Sequence, residues 1–299
     1  MSAASPLAAA EPSCVFCDQP SETKEHVVPK WLLRHFDLYN QRLLLSNQTT
    51  LTYRQTVVPA CRHCNSERLA PLERRIQDNT ASARDYFLWA LKITTGLSYR
   101  DSTLPLDRSD PAAGTVVPPD SFVETAALLK HGLLSLDRPG FRFSPDPFGS
   151  VMFLPAESND FALVDVPRPY RALAIALPGR GHLVVLAGDR GVLATIYERL
   201  GSAKALEQLA PVAGAQSQLT GIIFGMLILR SHLAIPRGIR LERDGMISDP
   251  IPRRIPTISQ DRVLYRDIAA TLHIDDDAAD LAYDRYAEMF SGGAHMRWR

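Results

Sequence analysis

The residues equipped for chemistry crowd into the first quarter of the chain. All four cysteines fall in two Cys-x-x-Cys pairs, Cys14/Cys17 and Cys61/Cys64, with none left over. In a reducing compartment, two matched knuckles favour zinc over disulfides or a redox pair, since four thiolates close a tetrahedral structural site. The span between the knuckles is longer than in a plain zinc ribbon. It carries Lys24-Glu25-His26-Val27-Val28-Pro29-Lys30-Trp31, and Asn65 directly follows the fourth cysteine. An adjacent acid and histidine suit phosphodiester hydrolysis, which needs an attacking water, a base to take its proton and positive charge near the leaving oxygen. A histidine with the reference pKa of about 6.5 is largely neutral at pH 7 and fit for base duty.

The order Cys-x-x-Cys, Glu-His-x-x-Pro, Cys-x-x-Cys-Asn resembles the zinc-knuckle branch of the HNH endonucleases, over residues 14 to 76. The resemblance implies a zinc-stapled ββα-metal module of treble-clef type, with structural Zn²⁺ in the four thiolates. It makes His26 the general base, Glu25 a metal ligand and Asn65 the second protein ligand. Glu73 falls where relatives carry an acid, as an additional or supporting metal group. Two oxygen ligands leave most of the coordination sphere to water and phosphate, which suits Mg²⁺ or Mn²⁺ as the catalytic ion. Arg68 stands where many relatives carry a lysine and is expected to contact phosphate, with Lys30 and Arg62 beside it. The family's middle Asn would fall near Thr56, a departure that bears on loop geometry more than on mechanism. The activity so implied is endonucleolytic cleavage of DNA, leaving 5′-phosphate and 3′-hydroxyl ends, with restriction or phage defence as the expected setting. The other reading is a non-catalytic zinc-knuckle module binding nucleic acid or protein, with Glu25, His26 and Asn65 incidental.

The elements that must position these groups follow from the pattern. The Glu25-His26 pair is expected at a strand end, where a twist lets both side chains reach one cleft. Asn65 is expected to open the next helix as a cap, with Leu69-Ala70-Pro71 ending it and Pro71 in the first turn of another. Character changes near residue 78. Helical spacing over 81–96 places Gly96 as a C-cap, and the Pro/Asp-rich stretch 101–120 reads as a long loop. A helix over 121–134 precedes short strands between Phe141 and Asp189, with Pro178-Gly179-Arg180-Gly181 as a hairpin turn. Helices over 192–200 and about 216–232, a strand within 238–248, and a last helix from Asp275 to about Phe290 complete the chain. The fold class is α+β: a tail over 1–12, the ββα-metal module over 13–78, and a mixed, mostly antiparallel α/β domain over 79–299 for regulation, targeting or dimerisation.

Bulk properties narrow the function further. Lysines and arginines equal aspartates and glutamates over the 299 residues, so a whole-surface coat for nucleic acid is excluded. Between Cys14 and Ile76 nine basic side chains face six acidic ones, a local balance that favours phosphate approach. No signal segment is apparent, and the longest apolar run, 219–229, is shorter than the roughly 20 residues a bilayer requires. A cytoplasmic protein without membrane contact is expected. A homodimer would be needed for double-strand cutting, and an activating small molecule or protein could act on the second domain. Elsewhere the bland readings win: His63 as a knuckle surface residue, Trp31 and Trp89 as core, and Asp275-Asp276-Asp277 beside His273 as a helix start rather than a metal cluster. Arg180, His182 and Arg190 are candidates to mark a ligand pocket in the second domain.

Overall fold

The computed structural model describes residues 12–45, 47–155, 159–166, 171–189, 191–200, 218–232, 239–248 and 262–291. Most of the expected tail, and Arg190, lie outside the described residues. By contact density the chain divides into two compact units, one of residues 1–81 with 91–139 and the other of 82–90 with 140–299. The first is therefore larger than the 13–78 module expected from sequence.

Two strands far apart in sequence found the first unit. β1 (Thr23–His26) pairs antiparallel with β4 (Val57–Ala60), Thr23 opposite Ala60 and His26 opposite Val57. Val27, Val28 and Pro29 follow β1 as buried backbone. Pro29, with its fixed φ, precedes the short helix α1 (Lys30–His35). The antiparallel pair β2 (Arg42–Leu44) and β3 (Thr50–Thr52) leads back to β4. After Cys61 the chain winds into a π-helix, His63–Leu69, that runs directly into α2 (Ala70–Gln77). The chain does not leave the helix at Leu69–Pro71 as expected, but Pro71 does fall in the first turn of α2, as expected. The wider i→i+5 turns ahead of Pro71 let the helix continue past a residue with no N–H to give.

Helix α3 (Ala83–Thr103) corrects a second expectation. Gly96 is no C-cap but lies inside α3. A Cβ there would sit 2.9 Å from Val27 Cγ2, so the glycine lets α3 run close against the loop that follows β1. The stretch 101–120 is less loop than its composition suggests. α3 continues to Thr103, Pro105 bridges Thr115, and residues 111–113 form a 3₁₀ turn. Helix α4 (Pro119–Leu133) follows.

The second unit is the mixed, mostly antiparallel domain that its alternating apolar runs predict. β5 is Arg142–Ser144, β6 Gly149–Leu154, β7 Leu163–Val166, β8 Ala172–Leu177 and β9 Gly181–Ala187. The last four form an antiparallel sheet ordered β6-β9-β8-β7, and the turn at Gly179 and Gly181, both at positive φ, joins β8 to β9 as expected. Helices α5 (Val192–Leu200), α6 (Gln218–His232), α7 (Arg262–Thr271) and α8 (Asp276–Ser291) complete it. Met152, Leu154, Ala172, Ala174, Val184 and Leu186, at alternate positions of three strands, share one core with Ile223, Leu227, Tyr265, Ile268 and Ala279 from the helices. The single strand expected over 238–248 is a hairpin, β10 (Ile239–Glu242) and β11 (Gly245–Ser248), with β5 parallel to β11. Asp275 Oδ1 accepts from the backbone N of Ala278, so the acidic run is a helix start, as read from sequence.

Asp189 locks this unit. Its buried carboxylate accepts from Ser150 N at 2.6 Å, Ser150 Oγ at 2.5 Å, Gly191 N and Leu193 N, capping α5 and fastening it to β6. Asp189→Ala should strand these donors in the core and cost about 2–4 kcal/mol, read as a lower urea midpoint for the second unit; an unchanged midpoint would show that the clasp contributes little.

Candidate functional site

The knuckles meet as their spacing predicts. Cys14, Cys17, Cys61 and Cys64 place their Sγ atoms within 4.8 Å of one another, and Cys17 Sγ lies 3.5 Å from Cys61 Sγ. Four sulfurs at about 2.3 Å from one ion would sit about 3.8 Å apart, so the group is sized to hold a tetrahedral metal ion. Backbone N–H groups of Phe16 and Cys64 donate to Cys14 Sγ and Cys61 Sγ, as thiolates require. The crowded thiols share their protons unequally. The Cys64 thiol, by hydrogen bonding, lowers the Cys14 pKa to about 5, while burial raises that of Cys17 to about 11.

In the structure Arg68 packs against this knuckle. It is 9% exposed, donates to Cys64 Sγ at 3.7 Å and is ion-paired with Asp137. On an ordinary α-helix Arg68 would lie one turn on from Asn65 and on the same side. A π turn holds more residues, so three steps from Asn65 do not return to the same face. Arg62 is exposed, with Glu22 at 3.9 Å, and His63 is a surface residue on Glu67 at 2.7 Å. Lys30 is exposed at the start of α1.

His26 closes β1. Its ring stands 6.2 Å from that of Tyr39, nearly parallel, and Nε2 is buried with no hydrogen-bond partner. Burial, then the Lys30 charge, lower its pKa below 6.5; Glu25 and a hydrogen bond with the Arg54 backbone oppose this less strongly. The Thr56 carbonyl accepts from Val27 N at 3.0 Å and steadies the turn after His26.

Glu25, next to His26 but on the other face of β1, points inward. There it meets a residue that the sequence reading passed over. Lys92 of α3 is 1% exposed, and its Nζ lies 2.7 Å from Glu25 Oε1, 2.9 Å from Glu73 Oε1 and 3.2 Å from the Val27 carbonyl, with the His26 carbonyl as a fourth acceptor. Burial alone would push this lysine's pKa down, but the two carboxylates outweigh it and hold the pKa above its ordinary value. A lysine inside the apolar run Phe87-Leu88-Trp89-Ala90-Leu91-Lys92-Ile93 was the available signal. Such a charge needs a buried partner.

Asn65 is not a helix cap. It sits one turn in, its backbone N on the Cys61 carbonyl, and its side-chain amide donates to Thr23 Oγ1 at 3.0 Å and the Lys24 carbonyl at 3.4 Å. The structure therefore gathers Glu25 and Glu73 on Lys92 and turns Asn65 to the first half of β1. An exchangeable divalent ion needs oxygens open to water and substrate; as placed, these three residues do not form such a site. Along β1 and β4 runs a cleft of about 640 Å³ whose lining includes Lys24 and Arg100, the latter with a buried Nε lacking a hydrogen-bond partner, and Glu22.

Among the described residues, the four cysteines are the one cluster of three or more His, Cys, Asp or Glu able to hold a metal ion, and no helix is long and apolar enough to cross a membrane. Comparison with protein-family models, curated proteins and solved structures gave no significant match.

If Arg68 braces the knuckle, Arg68→Ala should lower stability by about 1–3 kcal/mol and leave nucleic-acid affinity unchanged, whereas Lys30→Ala should do the reverse. Calorimetry and a fluorescence-anisotropy titration on labelled duplex would separate the two, and loss of affinity in the Arg68 variant at full stability would restore it as a phosphate contact.

Proposed function

We propose that the protein is a phosphodiester hydrolase of the HNH nuclease type, acting on nucleic acid, with His26 as general base and zinc in the four-cysteine site. The observation that carries this reading is the setting of His26, with Nε2 lacking a partner, a pKa below the ordinary imidazole value, and an exposed lysine nearby. A neutral imidazole with an unpartnered ring nitrogen has the protonation state of a general base, and because Nε2 is buried an attacking water must be admitted beside it for the proton transfer. Lys30 and Arg62, with Lys24 and Arg100 of the cleft, are the cations to receive phosphate, replacing Arg68 in that role. DNA as the substrate rests on the motif resemblance alone. So does any part in restriction or phage defence. Dimerisation or response to an activator is assigned to the second unit by elimination.

A second reading, a zinc-knuckle module that binds nucleic acid without cutting it, is favoured by the engagement of Glu25 and Glu73 with Lys92. Cleavage of supercoiled plasmid, with Mg²⁺, with Mn²⁺ and with no added divalent ion, separates the two. A nuclease nicks or linearises the plasmid, and His26→Ala slows it by about 10²–10⁴-fold while leaving binding intact. Binding without cleavage by the wild type in every condition would favour the module.

The pH profile adds a finer check. Because burial and Lys30 depress the His26 pKa, the neutral base survives below pH 6.5, and the acid limb of kcat/KM should fall there. Lys30→Ala removes one depressing charge and should move that limb to higher pH. An unmoved limb would mean that another group titrates. Atomic absorption on purified protein should give one zinc per chain, lost with the fold in Cys64→Ser.

A further inference from the structure

The cage around Lys92 has the donor set of a hard-cation site. Two carboxylate oxygens, from Glu25 and Glu73, and two backbone carbonyls, from His26 and Val27, converge on one point deep in the first unit. Oxygen-only sets of this kind, with carboxylates and carbonyls together, are those that bind Mg²⁺, Mn²⁺ or Ca²⁺. Here the point is occupied by the chain's own ammonium. Glu25 and Glu73 are also the two acids whose positions in the motif suggest metal ligands. We propose that Lys92 is the resident cation of this site, standing where a divalent ion would sit between Glu25 and Glu73, so that His26 is positioned by a tethered ammonium and not by a catalytic metal.

Three features support the assignment. The lysine is fully enclosed, so it does not swing aside without opening α3 from β1. Its three protons meet four acceptors, and removing one partner would leave a buried charge unpaired, an expensive state. Two of those acceptors are the carbonyls at and after His26, so the ammonium fixes the backbone that carries the base. Lys92 is thus a positioning residue, acting on His26 through the main chain. Gly96, one turn along α3 against Val27, permits the close approach that brings the ammonium to those carbonyls.

The role of the base rests on the nuclease reading, but the identity of the cation does not, so it is tested without turnover. Mn²⁺ binding to zinc-loaded full-length protein is followed by electron paramagnetic resonance and by the thermal midpoint, for wild type, Lys92→Ala, Lys92→Met and Lys92→Ala/Glu25→Gln. Thiolates prefer softer ions, so zinc loading keeps Mn²⁺ off the knuckles. The expected result is no stoichiometric Mn²⁺ site in the wild type. One site per chain should appear in Lys92→Ala or Lys92→Met, at least about tenfold tighter than any wild-type binding, and disappear again with Glu25→Gln. A wild-type protein that binds one Mn²⁺ and loses it in Glu25→Gln would overturn the proposal, as would folded lysine variants that gain no site. If neither lysine variant folds, the wild-type measurement with Glu25→Gln decides alone. Absence of plasmid cleavage alongside the expected Mn²⁺ pattern would sink the nuclease reading and leave this one standing.

Discussion

An ammonium inside the first unit has to be matched, and the match shapes everything near it. Removing a lysine from water is costly unless its protons and its charge are both answered. Glu25, Glu73 and the carbonyls of His26 and Val27 answer Lys92 together. Those four groups come from β1, the loop after it and α2, while the lysine comes from α3. One ion cluster therefore ties the strand bearing the histidine to both helices that follow the second knuckle, and sets the inward face of β1. His26, on the opposite face of that strand, is left to the half-buried surface beside Tyr39 and Lys30.

The four-cysteine site does a different job. It joins the turn before β1 to the turn after β4, two segments that the strand pairing also joins, so a metal ion held there would reinforce the register of Thr23 on Ala60. The π-helix that begins at the second knuckle then decides which side chains look where. It turns Arg68 back onto Cys64 and Asp137, and Asn65 toward Thr23 and Lys24. Electrostatics nearby follow from this division. Lys24, Lys30 and Arg62 stay exposed at the surface, as do Arg34, Arg42, Arg54 and Arg74.

Much of the fold was legible from the chain. The apolar runs of the second unit foretold its strands, the glycines at 179 and 181 its hairpin, and the mostly apolar stretch 219–229 a buried helix, because period and turn chemistry are local properties. α7 was missed, although Tyr265, Ile268, Ala269 and Leu272 lie at helical spacing, because Asp and Arg between them mask the stripe. Gly96 was misread as a terminus for a related reason. A glycine near the end of an apolar pattern usually marks a stop, and only the proximity of Val27 shows that it makes room instead.

For the candidate site, sequence alone determined which groups are present and in what order: four thiols in two turns, an acid beside a histidine, an amide after the last cysteine. Spacing within a knuckle is short enough to fix geometry, so the thiol cluster could be foreseen. Tertiary structure alone decided what those groups face. Lys92 lies 67 positions after Glu25, and no local pattern links them. The meeting of the lysine with Glu25 and Glu73 depends on how α3 packs, on the close approach allowed at Gly96, and on the large penalty for leaving a buried charge unanswered.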